Sequence, residues 1–199
     1  EHLNKKGLIS GYPLTKTPSS SASGSKVESK INYNIPKASQ LGAIVEMIHL
    51  ASLVHDDVID EAATRRGSPS INIKYQSNKL SVFAGIFLLS QASVSLAHFR
   101  NHEVTEEISG AISNLVKGEI LQTKTLSGEK MEESLQIYTQ KTYYKTASLI
   151  TSGCRAVSLL LEPTEPMNNL VEMASQYGRN LGLAFQIVDD LLDFTQSAE

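Results

Sequence analysis

The sequence has no tryptophan, a single cysteine and few aromatic residues, 6% of 199 positions. So few rings leave no stacking platform for bases. It also lacks a strong positive charge: 18 Lys and Arg face 21 Asp and Glu, a net charge of −3. That argues against nucleic acid as the main partner. The lone Cys154 excludes a disulfide framework and a four-thiolate zinc site, and points to a reducing compartment. Strand signals are scarce, with no alternating β-branched runs joined by hairpin turns. Hydrophobic residues make up 41%, enough for the core of one sizeable domain and too few for a membrane bundle.

What is present divides in two. Residues 1–40 hold six lysines and two acids, a local balance of +4, which leaves −7 for the remainder. Six serines fall between Ser19 and Ser29, beside Pro18 and Gly24. Such a stretch buries too little apolar surface to offset its ordering entropy. Residues 1–37 are therefore expected to form a Ser-rich linker, disordered over about 10–36, with the basic, Ser-rich character of a transit peptide.

From residue 38 to 199 the pattern is helical. Leu41, Ile44, Val45, Ile48, Ser52 and His55 recur every three or four residues. Further helices are expected over about 78–99, 105–125, 131–161 and from Thr164, as N-cap, to about Phe194. The second spans twenty residues without a formal charge between Lys79 and Arg100. That length could cross a bilayer. Its scattered Ser, Gln and His favour a central core helix instead. The expected fold is all-α, a large bundle of long antiparallel helices.

Two segments carry chemistry: Asp56-Asp57-Val58-Ile59-Asp60 and Asp189-Asp190-Leu191-Leu192-Asp193. Each reads DDxxD inside an apolar helical stretch, and the i,i+3 and i,i+4 spacings place the carboxylates near one face. Two such charges about 6 Å apart repel by roughly 3 kcal/mol at an effective dielectric near 20. A cation relieves this, and hard oxygen ligands suit Mg²⁺. A single copy could be a solvated acidic turn. Two matched copies suggest metal sites facing across one cavity, an arrangement for holding a diphosphate. Arg65 and Arg66 follow the first motif, and guanidinium forks bind phosphate. Lys141 and Lys145 lie one turn apart on the fourth helix, where a lysine facing both clusters would balance charge.

These motifs carry a family resemblance. The string Glu46–Asp60, then Arg65-Arg66-Gly67, Gly118-Glu119-Ile120-Leu121-Gln122, Lys145–Ile150 and Phe185–Asp193 resembles the trans-polyprenyl diphosphate synthases in order and spacing. The wording is closest to the mitochondrial hexaprenyl and decaprenyl types of ubiquinone biosynthesis. The resemblance covers about residues 38–196 and implies an isoprenoid-synthase bundle. It implies Asp56, Asp57, Asp60, Asp189, Asp190 and Asp193 as holders of Mg²⁺, three ions with a bound diphosphate. It implies Arg65 and Lys145 on the allylic diphosphate, Arg66 and His49 on isopentenyl diphosphate, and Thr146 and Gln186 at the reacting centre. The allylic substrate would be farnesyl or geranylgeranyl diphosphate, and the assembly a homodimer or a heteromer with a related subunit. The location would be the mitochondrion, without a transmembrane span, with peripheral membrane association through the product.

In short-chain members of this family, bulky aromatics floor the product channel one turn below the first motif. Here that level holds Ala51 and Ser52, followed by Ile48, Val45 and Ile44. The expectation is an open apolar tunnel and a product longer than farnesyl. The family's upstream Gly-Gly-Lys-x-x-Arg-Pro stretch has no counterpart in residues 1–40. Ala84-Gly85-Ile86 stands where the family usually carries Ala-Gly-Asp. The chain therefore reads as a partial synthase, truncated on the C-terminal side.

Rival chemistries fit less well. An HD-type phosphohydrolase would leave both DDxxD motifs unexplained. A di-iron bundle needs a second Glu-x-x-His besides Glu46-x-x-His49. A terpene cyclase normally mixes Asn, Ser or Thr and Glu into its second motif. The alternative that survives is a non-catalytic or partner-dependent subunit of a heteromeric synthase.

Overall fold

The computed structural model describes residues 28–123, 131–160 and 167–195. It is an all-α bundle with one small hairpin. α1 spans Glu28–Ile59, β1 Thr64–Arg65, β2 Ser68–Pro69, α2 Ile71–Lys74 and α3 Asn78–His98. α4 spans His102–Thr123 and α5 Met131–Thr142; a π-turn covers Tyr143–Ala147, α6 Ser148–Leu159 and α7 Met167–Thr195.

Local chemistry sets several boundaries. Ser77 caps α3 by accepting from the Leu80 N–H at 3.2 Å, and Asn101 opens α4 by accepting from the Val104 N–H at 3.1 Å. Each satisfies one of the donors that a helix N-terminus leaves open. α1 starts at Glu28 and carries Pro36 within it, so helix occupies the last part of the stretch expected to be linker. Once the packed part of α1 has met the nucleation cost, each added residue gains a backbone bond. The Ser-rich run lies largely outside the described residues, as do Thr164 and Pro166.

The hairpin is also a departure from the strand-free expectation. Thr64 pairs with Pro69 and Arg65 with Ser68, with Arg66 and Gly67 at φ 51° and 74° between them. Two left-handed residues make the tight turn that matches strand twist. Gly67 thus sits at a hairpin tip, several residues beyond the end of α1.

The core joins Leu41, Ile44 and Ile48 of α1 to Ala92 and Leu96 of α3, Val104 and Ile108 of α4, and Leu149 and Ala156 of α6. α1 packs chiefly on α3, and α6 lies between α4 and α7. The expectation of α3 as a central core helix needs correction. Only Ser81, Gly85, Ala92 and Leu96 are buried on it, one stripe against α1. Val82, Phe83, Ile86, Phe87 and Val94 are exposed. Among the described residues α3 is the one helix long and apolar enough to cross a membrane. The packed stripe is made of small residues and Leu96, while most of the bulky apolar residues and most of the scattered polar ones face away from it.

Candidate active site

The last two turns of α1 present two adjacent carboxylates to different surroundings, because successive helix residues point about 100° apart. Asp57 is almost sealed, at 4% exposure. Its Oδ1 accepts from both Arg65 Nε at 2.9 Å and Arg65 Nη2 at 2.6 Å. The hairpin delivers Arg65 to this point and is itself tied back to the end of α1. The Ser70 hydroxyl donates to the Ala62 carbonyl at 2.6 Å, and Asn72 Nδ2 donates to the Asp57 carbonyl at 3.4 Å.

Asp56 faces a pocket of about 200 Å³. One stripe of α1 lines it, Ile48, Ser52, His55, Asp56 and Ile59, with Leu89 of α3 opposite. α4 contributes Ile112, Leu115, Val116 and Glu119, and the π-turn contributes Lys145. The charged groups gather at the C-terminal ends of α1 and α4; two turns back, Ile48 and Ile112 make an apolar end. Lys145 Nζ meets Glu119 Oε1 at 2.9 Å and donates to Gln122 Oε1 at 2.8 Å. The Asp56 carboxyl is raised to about 6, first by burial, then by Glu119. Lys145 and Arg65 pull the other way without cancelling this. Asp56 is thus a carboxylate short of positive charge.

The second motif is tied to the π-turn by side-chain hydrogen bonds. Thr146 Oγ1 donates to Gln186 Oε1 at 2.7 Å. Gln186 Nε2 donates to Asp190 Oδ1 at 2.8 Å and makes a longer 3.4 Å contact with Asp189 Oδ2. Tyr138 Oη donates to Asp190 Oδ2 at 2.6 Å. These bonds hold the Asp190 carboxyl below its ordinary range, Tyr138 first and Gln186 second. The π-turn also separates the two lysines expected on one face. Lys145 turns to α4, whereas Lys141 Nζ lies 5.8 Å over the Tyr138 ring. A widened turn rotates the helix beyond it, and such turns cluster at functional sites. Gly118 of α4 admits it, since a Cβ there would stand 2.7 Å from the Lys145 backbone nitrogen.

The structure therefore brings Ser52, Asp56 and Lys145 to one pocket. Thr146 and Gln186 form a contact that joins the π-turn to the second motif, and Arg65 is bound to Asp57. Asp60, Asp189, Asp190 and Asp193 are exposed, and Arg66 is exposed at the hairpin tip. His49 is half-buried and outside the pocket lining. Ala51 is fully buried and does not line the pocket, because it turns into the core while Ser52 faces the cavity. Of the expected tunnel wall on α1, only Ile48 lines the pocket; Ile44 shares the core cluster with it, and Val45 packs against that cluster. Sequence reasoning passed over Glu119, His55 and Tyr138 as site residues. Glu119 and Gln122 stood in a quoted motif, three apart on one helix face, which was the available signal.

Among the described residues no three His, Cys, Asp or Glu side chains converge as a metal cage. Mg²⁺ does not require one, as it takes one or two carboxylates and fills the rest with waters and phosphate oxygens. The donor set fits that mode: hard carboxylates, one of them partly buried and held short of cationic partners.

Comparison with known proteins gives the family and the fold. The polyprenyl synthetase family model matches residues 19–199. The probable mitochondrial hexaprenyl pyrophosphate synthase of Yarrowia lipolytica is 48% identical over 169 residues, 83% of this chain and 36% of that protein. The chain thus spans about a third of the length of that relative. A decaprenyl diphosphate synthase from Rhodobacter capsulatus superposes with a TM-score of 0.73 at 34% identity, over 80% of this chain and 49% of the other. A polyprenyl synthase from Caulobacter crescentus, complexed with calcium and isoprenyl diphosphate, gives 0.71 at 30% identity, over 79% and 46%.

Proposed function

This chain belongs to the polyprenyl synthetase family, and on that premise we propose that it condenses isopentenyl diphosphate onto an allylic diphosphate. The product is a trans-polyprenyl diphosphate longer than farnesyl, made for the ubiquinone side chain in the mitochondrion. The observation that carries this reading is a pocket with carboxylates and Lys145 at one end and aliphatic side chains at the other. A diphosphate ester of a hydrocarbon has that same division.

Asp56, Asp57, Asp60, Asp189 and Asp193 are the carboxylates that would hold Mg²⁺, with Asp189 foremost in the second motif. Bound there, Mg²⁺ would supply positive charge to the departing pyrophosphate. Lys145 leaves Glu119 and Gln122 to meet the same phosphates, and Arg65 lies within reach of them from Asp57. Thr146 and Gln186 orient the allylic carbon, whose developing positive charge faces their oxygens. The aliphatic lining of α1, α3 and α4 takes the growing chain and keeps water from the cation.

The test is incubation with Mg²⁺, isopentenyl diphosphate and farnesyl diphosphate, sizing products after dephosphorylation, beside an Asp56→Ala/Asp189→Ala variant. A long product that vanishes in the variant supports the reading. Mg²⁺-dependent binding of farnesyl diphosphate without turnover would favour the second reading, a subunit needing a partner. Neither turnover nor binding would overturn both.

A further inference from the structure

The three carboxylates of the second motif are not equivalent. Asp190 has both oxygens engaged, Oδ2 by Tyr138 at 2.6 Å and Oδ1 by Gln186 at 2.8 Å. Asp189 takes only the long 3.4 Å contact from the same amide. Asp189 and Asp193 are i,i+4 on α7 and share a face, while Asp190 points about 100° away from Asp189. Tyr138 comes from α5, 52 positions from Asp190 in sequence. Its bond is a charge-assisted one at the short end of its range, stronger and more directional than a neutral pair.

We infer that Tyr138 is a positioning residue for the second aspartate motif: it clamps Asp190 as an anchor, so that Asp189 and Asp193 remain the oxygens offered to a divalent cation. This inference rests on the proposed function. Each Asp190 oxygen already accepts one bond, so a cation could reach it only along the lone pair that bond leaves open. Keeping both bonds holds the Asp190 carboxyl in one orientation and ties this turn of α7 to α5. Gln186 carries the constraint on to Thr146, so the anchor also registers the second motif against the turn that bears Lys145.

The experiment measures Mn²⁺ binding in the presence of inorganic pyrophosphate, by loss of the free-ion paramagnetic signal. The full chain is compared with Tyr138→Phe, Asp189→Asn and Asp190→Asn. Tyr138→Phe frees Asp190 and loosens the turn of α7 that presents Asp189 and Asp193, and weakens Mn²⁺ roughly tenfold, the low end of the cost of losing an outer group behind a metal site. Its cation-free melting curve stays close to that of the unaltered chain, which separates positioning from a merely structural role. Asp190→Asn keeps an amide oxygen for Tyr138 but turns its NH₂ toward the Gln186 amide, so it loses no more than Tyr138→Phe, whereas Asp189→Asn loses more than either. Unchanged affinity in Tyr138→Phe, or equal losses in Asp189→Asn and Asp190→Asn, overturns the inference while the proposed function stands. If the unaltered chain binds no Mn²⁺ with pyrophosphate, both fall.

Discussion

Asp57 is the most buried partner among the ion pairs of the site, with a side-chain exposure of 6% against 41% for Arg65. Removing the arginine strands a carboxylate that water reaches poorly. Arg65→Ala should cost roughly 1–3 kcal/mol, the range for a lost hydrogen bond to a charged group, read from urea denaturation in a metal chelator. Asp56 next door behaves oppositely. Its folded carboxyl is raised to about 6 from an ordinary 3.8, so between those values the native state binds more protons than the unfolded chain. Stability then falls as pH rises through this window. The cation-free protein should gain stability between pH 7 and pH 5. Asp56→Asn should be more stable than the unaltered chain at pH 7 and should lose this part of the pH dependence. A chelator-treated denaturation series at both pH values checks it, and a steeper pH dependence in the variant would contradict the assignment. The identity of both aspartates was legible in DDxxD. Their division of labour was not, because a helical spacing gives direction but not what each direction meets.

At the scale of elements, the π-turn does what an uninterrupted α-helix would not. The sequence suggested one helix over about 131–161, and the three consecutive pieces of that span are indeed helical. The extra residue in the turn had no signature, because it is set by neighbours distant in sequence. Gly118 from α4 and Gly182 from α7 both close on this turn. A Cβ on Gly182 would stand 2.5 Å from the Ala147 Cα. Gly182→Ala should therefore push α7 away and cost roughly 1–3 kcal/mol as an overpacked contact. It should also loosen the Thr146–Gln186 bond, so turnover should drop by more than the folded fraction does. Equal losses of folded protein and turnover would mean that this contact serves packing alone. Two other elements escaped the sequence for related reasons. Arg66-Gly67 encodes the hairpin turn, but strands of two residues carry no period. α3 reads as apolar all round, and periodicity alone cannot say which of its faces a neighbour will cover.

For the whole molecule, the proposed function makes the pocket rather than any one motif the feature that would set the product. An apolar channel was legible from the small residues one turn below Asp56, but which of the two faces the cavity was not. Ala51 and Ser52 are about 100° apart on α1, enough to send one into the core and the other into the cavity. The two positions should respond differently to the same substitution. Phe at position 51 has no space at 0% exposure, so Ala51→Phe should destabilise the fold by about 1–3 kcal/mol or more. Phe at position 52 would enter the cavity between Ile48 and Asp56, where Ser52 now only donates to the His49 carbonyl at 2.8 Å. Ser52→Phe should leave the melting temperature nearly unchanged and shorten the longest product. The separation comes from three helices at once, since Leu89 and Ile112 complete the wall that α1 begins. A shortened product from Ser52→Phe, read beside a destabilised Ala51→Phe, would tie chain length to the cavity between α1, α3 and α4. Unchanged product length in a well-folded Ser52→Phe would mean that the growing chain leaves the charged end by another route.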